Sequence, residues 1–413
     1  MKLLIVTTHF PHGTWNESFF EPELHALASS FDEVHLLPLK GGPLNRSLPA
    51  RVVLWEPVRG ASKWSHFKQL LHFSTWRMLA QVLDDCRRTV GRIGLRHVVN
   101  GMAAVCWRSA LMRHSRFNAF LKSADSTLVY AYWGHMPALV IPLAKAAGAK
   151  TCVRYHSVDL YLERSHNQSF IPYRNDIQAA TNLNIFISEH GLNYFEARAG
   201  EKASGLRAIH RLGSPDYGPP VARVTEASSS PVVMVSVSSI GGVKRVHLIA
   251  RLAKELAKRR TVEWHHFGSG NSRALDREMA NRNSKGLTIK MWGDTPRARI
   301  QEFYRSQPVT FFVNLSEFEG VPVSIMEALN ADIPVVASDV GGTSEIVRPG
   351  QSGMLVAPLE CAHSKALAEK IIAALAPDGL LQRSAPRLIW QELYDAETNA
   401  ARLVTQLQDL TRE

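Results

Sequence analysis

The chain has 413 residues, 45% of them apolar and 21% charged, and 48 Lys and Arg against 37 Asp and Glu give a formal net charge of +11. That length predicts two domains that each bury a core, and the 9 Trp, 9 Tyr and 16 Phe exclude a disordered or collagen-like chain. The positive excess admits three partners: nucleic acid, an anionic membrane, or an anionic small substrate such as a nucleotide.

Taken in chain order, residues 3–7 form a short apolar run that predicts a buried strand, residues 17–29 a helix, and residues 34–37 another strand. The run at the start is too short for a signal-peptide core, and no later stretch reaches the roughly 20 apolar residues of a spanning helix. The expectation is a cytoplasmic protein, soluble or peripheral on the inner face of the cytoplasmic membrane. Cys86, Cys106, Cys152 and Cys361 are too scattered for a disulfide framework or a zinc ribbon, which fits a reducing compartment.

Residues 51–122 hold thirteen basic residues, among them Arg87, Arg88 and Arg92, against only Glu56, Asp84 and Asp85. Nearly all the excess charge therefore lies in one segment. Trp55, Trp64, Phe67, Phe73, Trp76, Trp107, Phe117 and Phe120 are interleaved through it. Basic residues alternating with aromatics suit an interfacial surface on anionic lipid, or an acceptor linked to lipid. They equally suit a helical pair with a solvated arginine face. Nucleic-acid binding has no supporting signature and is not expected.

Strands follow at 127–132, 150–155 and 183–187, separated by helical stretches at 136–147 and from Glu189. A Pro- and Ser-rich stretch then predicts a linker, after which the alternation resumes. Strands are expected at 232–237, 262–267, 287–292, 310–315 and 334–338, with helices at 243–258 and 323–330 and a helical tail over 388–410. The reading is α/β: two doubly wound Rossmann-like domains facing a central cleft, with ligands at the carboxyl ends of the strands. The division is 1–213, a linker over 214–230, a second domain over 231–387, and a closing helix over 388–413 packing back on the first domain. No G-x-G-x-x-G opens a helix after the first strand of either half, so a plain dinucleotide enzyme is not expected.

Residues 316–356 read SEFEGVPVSIMEALNADIPVVASDVGGTSEIVRPGQSGMLV. Glu319 and Gly320 lead from a buried strand into a short helix, whose first amides form a lip for an anion or a hydroxyl. Glu327 lies about two turns down that helix among Met326, Ala328 and Leu329, where a carboxylate needs partners; a ribose diol is a suitable one. Gly341-Gly342 follows the next strand and gives a bare backbone that can approach a phosphate.

This window resembles the retaining glycosyltransferases of family 4, with their GT-B fold and paired glutamates separated by seven residues, and in particular the exopolysaccharide- and lipopolysaccharide-building members. The stretch VSVSSIGGVKRVHLIARLAKEL resembles the opening of that family's donor domain. The resemblance implies that Lys244 neutralises the donor diphosphate, with Arg245 as the nearest substitute for a cation that many members carry where Ser239 stands here. It further implies donor contacts from Glu327, Gly320, Val321, Val323 and Gly268, and from Gly13 in the first loop near Glu17, on the acceptor side. VRYHSVDLYLER resembles the strand end where the family keeps a histidine facing the transferred sugar, here His156. Glu319, His156 and Lys244 are thus the implied catalytic set.

The implied reaction is retaining transfer of a sugar from a UDP- or GDP-linked donor to a hydroxyl of a glycan or lipid-linked acceptor, in bacterial-type surface polysaccharide synthesis. The leaving phosphate oxygen takes the acceptor's proton, so the protein supplies positioning and charge stabilisation. No Asp-x-Asp occurs in the chain, and neither a metal site nor a cofactor is expected. The alternatives are a non-catalytic GT-B scaffold and a nucleotide-sugar epimerase.

Overall fold

Short apolar runs, buried on both faces, form the central strands of two all-parallel sheets in a computed structural model of the chain. The structure describes residues 1–13, 17–58, 73–164, 168–198, 203–218, 231–280 and 285–412. Met1–Arg211 with Glu397–Glu413 make one unit and Leu212–Ala396 the other.

The first unit contains β1 (Lys2–Thr7), β2 (Glu33–Pro38), β3 (Val52–Leu54), β4 (Thr127–Ala131), β5 (Lys150–Tyr155), β6 (Leu183–Phe186) and β7 (Leu206–Ile209), in the order β3-β2-β1-β4-β5-β6-β7. The outermost strands β3 and β7 contain no fully buried residue; β3 is only three residues long and β7 is interrupted by the exposed Arg207. Leu3, Ile5, Leu128 and Tyr130 pack with Leu24 and Leu27 of the Glu21–Ser30 helix. Leu403, Val404, Leu407 and Leu410 of the last helix complete this core.

The first helix begins later than the sequence suggests. Glu17 takes a left-handed φ of 56°, a 3-10 turn covers Ser18–Phe20, and the α-helix starts at Glu21. The stretch predicted as one helix at 136–147 splits into a 3-10 turn, Met136–Val140, and a short α-helix, Ile141–Ala146, each with a proline in its first turn.

The basic segment forms two packed helices, Phe73–Val90 and Leu95–Met112, where they are described. Its aromatics divide. Trp55, Trp107 and Phe117 are buried, whereas Phe73 and Trp76 are 86% and 51% exposed. Trp64, Phe67 and the neighbouring bases Arg59, Lys63 and Lys68 lie outside the described residues.

The second unit contains β8 (Val232–Val237), β9 (Val262–Phe267), β10 (Leu287–Gly293), β11 (Phe311–Asn314), β12 (Val335–Ser338) and β13 (Gly353–Val356), in the order β10-β9-β8-β11-β12-β13. The Val246–Ala257 helix buries Leu248, Ile249, Leu252 and Leu256 against Met234, Trp264 and Phe311. Ser214, at the head of the expected linker, is fully buried and accepts a 2.8 Å hydrogen bond from Trp390 Nε1. Residues 219–230 of that linker lie outside the described residues. The predicted tail helix is two helices, Pro386–Leu393 and Ala396–Arg412, separated at Tyr394.

In each sheet the chain builds outward from a central strand, returns, and builds the other way. The order reverses between β1 and β4 in the first unit and between β8 and β11 in the second. Loops diverge there at the carboxyl ends of the strands, which is where open α/β sheets bind ligands.

Candidate active site

In the second unit, Lys244 follows β8 and Glu319 follows β11, on the two sides of the reversal. Their side chains meet, with Lys244 Nζ 2.6 Å from Glu319 Oε1. The same oxygen accepts a 3.2 Å hydrogen bond from Asn314 Nδ2 at the end of β11. Glu319 is buried, while the Lys244 side chain keeps 29% of its surface. Because the lysine of this ion pair is open to solvent, it can turn from Glu319 to a ligand anion.

The backbone at this loop is set by glycine. Gly341 has φ +57°, and a Cβ there would lie 2.0 Å from Glu319 O. Gly342 N donates to Gly320 O at 2.8 Å. The turn after β12 therefore sits directly on the loop that carries Glu319. Val321 is buried and Val323 opens the Val323–Asn330 helix, whose first-turn amides have no acceptor within the helix.

Glu327, on that helix, is buried and ion-paired with Arg297 Nε. Burial pushes its carboxyl above the ordinary range, against the opposing pull of Arg297. Burial likewise holds the nearby Tyr304 hydroxyl far above its usual value, with the Glu327 charge adding to it. Arg297 escapes the sequence reading, since it lies 30 positions from its partner with no pattern around it.

Gly268 has φ +131°, and a Cβ would meet Ser238 O at 1.9 Å, so the turn after β9 lies against the loop after β8. Ser239 in that loop is exposed. Arg245 is turned inward: from a left-handed backbone, its Nε and Nη2 donate to Leu315 O and Ser316 O at 2.7 and 2.9 Å. It braces the end of β11, which departs from the expected phosphate-binding role. His265 and His266 are packing residues. The former stacks on Trp292, and the latter is fully buried with Nδ1 2.8 Å from Ser236 Oγ.

In the first unit, His156 follows β5 and is buried against Trp133, Tyr132 and Phe19, at ring separations of 4.2, 5.2 and 5.6 Å. Asp159 accepts from His156 N at 2.9 Å and Gly134 N at 2.7 Å. Burial would raise the Asp159 carboxyl, but His156, His135 and the Gly134 N–H outweigh it and bring it below its ordinary value. Neither ring nitrogen of His156 has a hydrogen-bond partner among the described residues; Nδ1 lies 3.7 Å from Asp159 Oδ2. Thr8 Oγ1 and the Tyr132 hydroxyl are also buried without partners there. Such atoms call for water or a hydroxyl-bearing ligand.

Arg154, two residues earlier, belongs to a different structure. Fully buried, it donates from Nη1 to both Glu23 oxygens at 2.5 and 2.6 Å and from Nη2 to His210 O at 2.7 Å. Gly13 N donates to Pro43 O at 3.0 Å, and residues 14–16 beyond it lie outside the described residues. Glu17 is buried among backbone amides. Arg87, Arg88 and Arg92 are exposed on the helical pair and its turn, with Arg88 ion-paired to Asp84 at 2.5 Å. No group of three or more His, Cys, Asp or Glu among the described residues is placed to hold a metal ion.

Comparison with known proteins bears on this geometry. The segment 222–386 matches the family model described as glycosyl transferases group 1. The putative colanic acid biosynthesis glycosyltransferase WcaL of Salmonella typhimurium is 27% identical over 139 residues, covering 32% of this chain and 34% of the relative. The lipopolysaccharide 1,6-galactosyltransferase of the same organism is 31% identical over 109 residues, covering 24% and 29%. The chain thus spans about a third of the length of the curated relatives it matches. Among solved structures, the lipopolysaccharide outer core galactosyltransferase WaaB in its apo form aligns with a TM-score of 0.62 at 15% identity, covering 99% of this chain and all of that one. Anabaena HepE in complex with UDP-glucose aligns with a TM-score of 0.64 at 14% identity, covering 99% of each chain. The fold is that of the GT-B proteins, and the Lys244–Glu319 and Arg297–Glu327 pairs lie within the segment that matches glycosyl transferases group 1.

Proposed function

We propose that this chain is a retaining glycosyltransferase that moves a sugar from a UDP- or GDP-linked donor to a hydroxyl of a glycan or lipid-linked acceptor in surface polysaccharide synthesis. The observation that carries the reading is the Lys244–Glu319 pair across the strand reversal, inside the segment that matches glycosyl transferases group 1. The named relatives, which include a colanic acid and a lipopolysaccharide glycosyltransferase, support the polysaccharide assignment.

In this reading Lys244 exchanges Glu319 for the donor diphosphate, and the freed Glu319 accepts from sugar hydroxyls. Glu327 accepts from the ribose diol, while the glycine turns of Gly268 and Gly341 let backbone approach the donor. His156, whose imidazole has no hydrogen-bond partner among the described residues, faces the transferred sugar. As the glycosidic bond to the diphosphate breaks, Lys244 and the first-turn amides stabilise the departing charge, and the leaving oxygen takes the acceptor's proton. The chemistry needs no metal. The exposed Phe73, Leu95 and Val99, together with Arg87 and Arg92, support peripheral contact with an anionic membrane.

The test is a thermal-shift screen of nucleotide sugars, followed by turnover with glycan acceptors and assignment of the product anomer by NMR. The expected result is one stabilising UDP- or GDP-sugar whose anomeric configuration is kept in the product, with turnover surviving a chelator. Absence of any stabilising nucleotide sugar, or an inverted product, would overturn the reading.

A further inference from the structure

Glu17 is an unusual residue to find buried at the carboxyl end of β1. It lies at 6% exposure with a left-handed φ of 56°, a conformation that a side chain with a Cβ adopts only when its surroundings hold it there. What holds it is visible. Its Oε1 accepts from Thr8 N at 3.0 Å, and its Oε2 accepts from His9 N at 2.7 Å and Phe10 N at 2.6 Å. Three consecutive amides converge on one carboxylate, the arrangement that binds anions in backbone nests.

The fourth donor comes from another strand. Trp133 Nε1, just past the end of β4, donates to Glu17 Oε1. Since β1 and β4 flank the reversal of the first sheet, this one carboxylate ties together the two loops that open there. The Trp133 ring then lies 4.2 Å from His156, and Phe19, two residues after Glu17, closes on the same imidazole at 5.6 Å. On the other side, Asp159 holds Gly134 N and His156 N together. The imidazole itself makes no hydrogen bond to the described residues, so ring packing and the Asp159 loop fix its position.

We infer that Glu17 is a positioning residue: its carboxylate, seated in the amides of residues 8–10, holds Trp133 as the wall that fixes His156 for the transferred sugar. The inference rests on the proposed sugar transfer, but its first half does not depend on it. Glutamine in place of Glu17 keeps one acceptor oxygen and turns an amide NH2 toward the other pair of donors, so Glu17→Gln breaks up the four-donor seat and disturbs the Trp133 contact. Trp133→Phe keeps a ring beside His156 but removes the tethering N–H together with the second ring of the indole.

The experiment uses the full chain with 15N-labelled tryptophan. Trp133→Phe assigns the Trp133 indole resonance by its disappearance, and Glu17→Gln is expected to shift that resonance. With the donor found by the screen, both variants are expected to lose about tenfold or more in kcat with donor KM within twofold, because a wall displaced by about 1 Å misplaces the reacting group. If Glu17→Gln does not fold, Trp133→Phe carries the kinetic test alone. An unmoved indole resonance, or a kcat within twofold of wild type in the variants that fold, would overturn the inference. His156→Ala separates the two levels: full activity in that variant overturns the role of His156 in the proposed transfer, whereas an inactive His156→Ala beside fully active Glu17→Gln and Trp133→Phe overturns the inference about Glu17 alone.

Discussion

At the reversal of each sheet a glutamate reaches across to a residue following the neighbouring strand, yet the two ties differ in kind. In the first unit Glu17 spends its charge on three backbone amides and an indole N–H, all of them neutral donors fixed by the fold. In the second, Glu319 faces the charged and partly exposed Lys244. The Glu17 donors are enclosed around a carboxylate that is 6% exposed, whereas the Lys244 ammonium keeps 29% of its side-chain surface open to a competing anion. A similar position in two similar sheets thus holds an enclosed, neutral-donor seat in one unit and a partly exposed ion pair in the other.

The largest expected effect comes from the backbone beneath Glu319. Gly341→Ala would place a Cβ 2.0 Å from Glu319 O at a left-handed φ, whereas Gly293 has a similar φ of +66° with nothing within 4 Å. Chemical denaturation should show a loss of about 4 kcal/mol for Gly341→Ala and of about 1 kcal/mol for Gly293→Ala. Equal losses would mean that φ alone matters and that the close approach to the Glu319 loop does not.

Acid tests whether the two units share a weakness. Burial lowers His210 in the first unit and His266 in the second from 6.5 to about 4. A depressed imidazole contributes stability that is present above the unfolded value and is lost as pH falls through the folded one, here between 6.5 and about 4. Each contributes up to about 3 kcal/mol. Unfolding free energies measured from pH 7 to 4 should fall, and His210→Asn or His266→Asn should each flatten the decline. A decline unchanged by either substitution would contradict this.

The smallest effects belong to the basic helical pair. Replacing Arg87 or Arg92 by Gln should weaken sedimentation with anionic liposomes by about 1 kcal/mol each. Arg88, already paired with Asp84, should matter less. Leu95→Ser tests insertion separately, since Leu95 is 81% exposed. Liposome binding that ignores all four changes would leave the pair as a solvated surface.

The central strands were legible because a parallel strand covered on both faces must be apolar throughout, as in residues 3–6 and 311–313. The edge strands β3 and β7 were not, because β3 has only three residues and β7 carries the exposed Arg207 in its middle. The stretch holding Glu319 and Glu327 could be read from its local pattern of strand, glycine and helix. Their partners could not be read equally well. Lys244 was marked by its own motif, but Arg297 has none, and Asn314 could have been noticed as the polar residue closing an apolar strand. The direction of Arg245 was not legible either: its left-handed backbone aims the guanidinium at the carbonyls of Leu315 and Ser316, which no spacing in the sequence encodes. Glu17 looked like the first residue of a helix, and only the convergence of distant amides shows that it stands outside one.

The proposed donor site of the second unit depends on Glu327 as its nucleotide contact. Isothermal titration calorimetry of UDP and of GDP into the full chain and into Glu327→Ala tests that most directly. One of the two nucleotides should bind the wild-type chain, and Glu327→Ala should weaken it by at least tenfold, or about 1.4 kcal/mol. Equal affinity in the two proteins would contradict the assignment of the donor site.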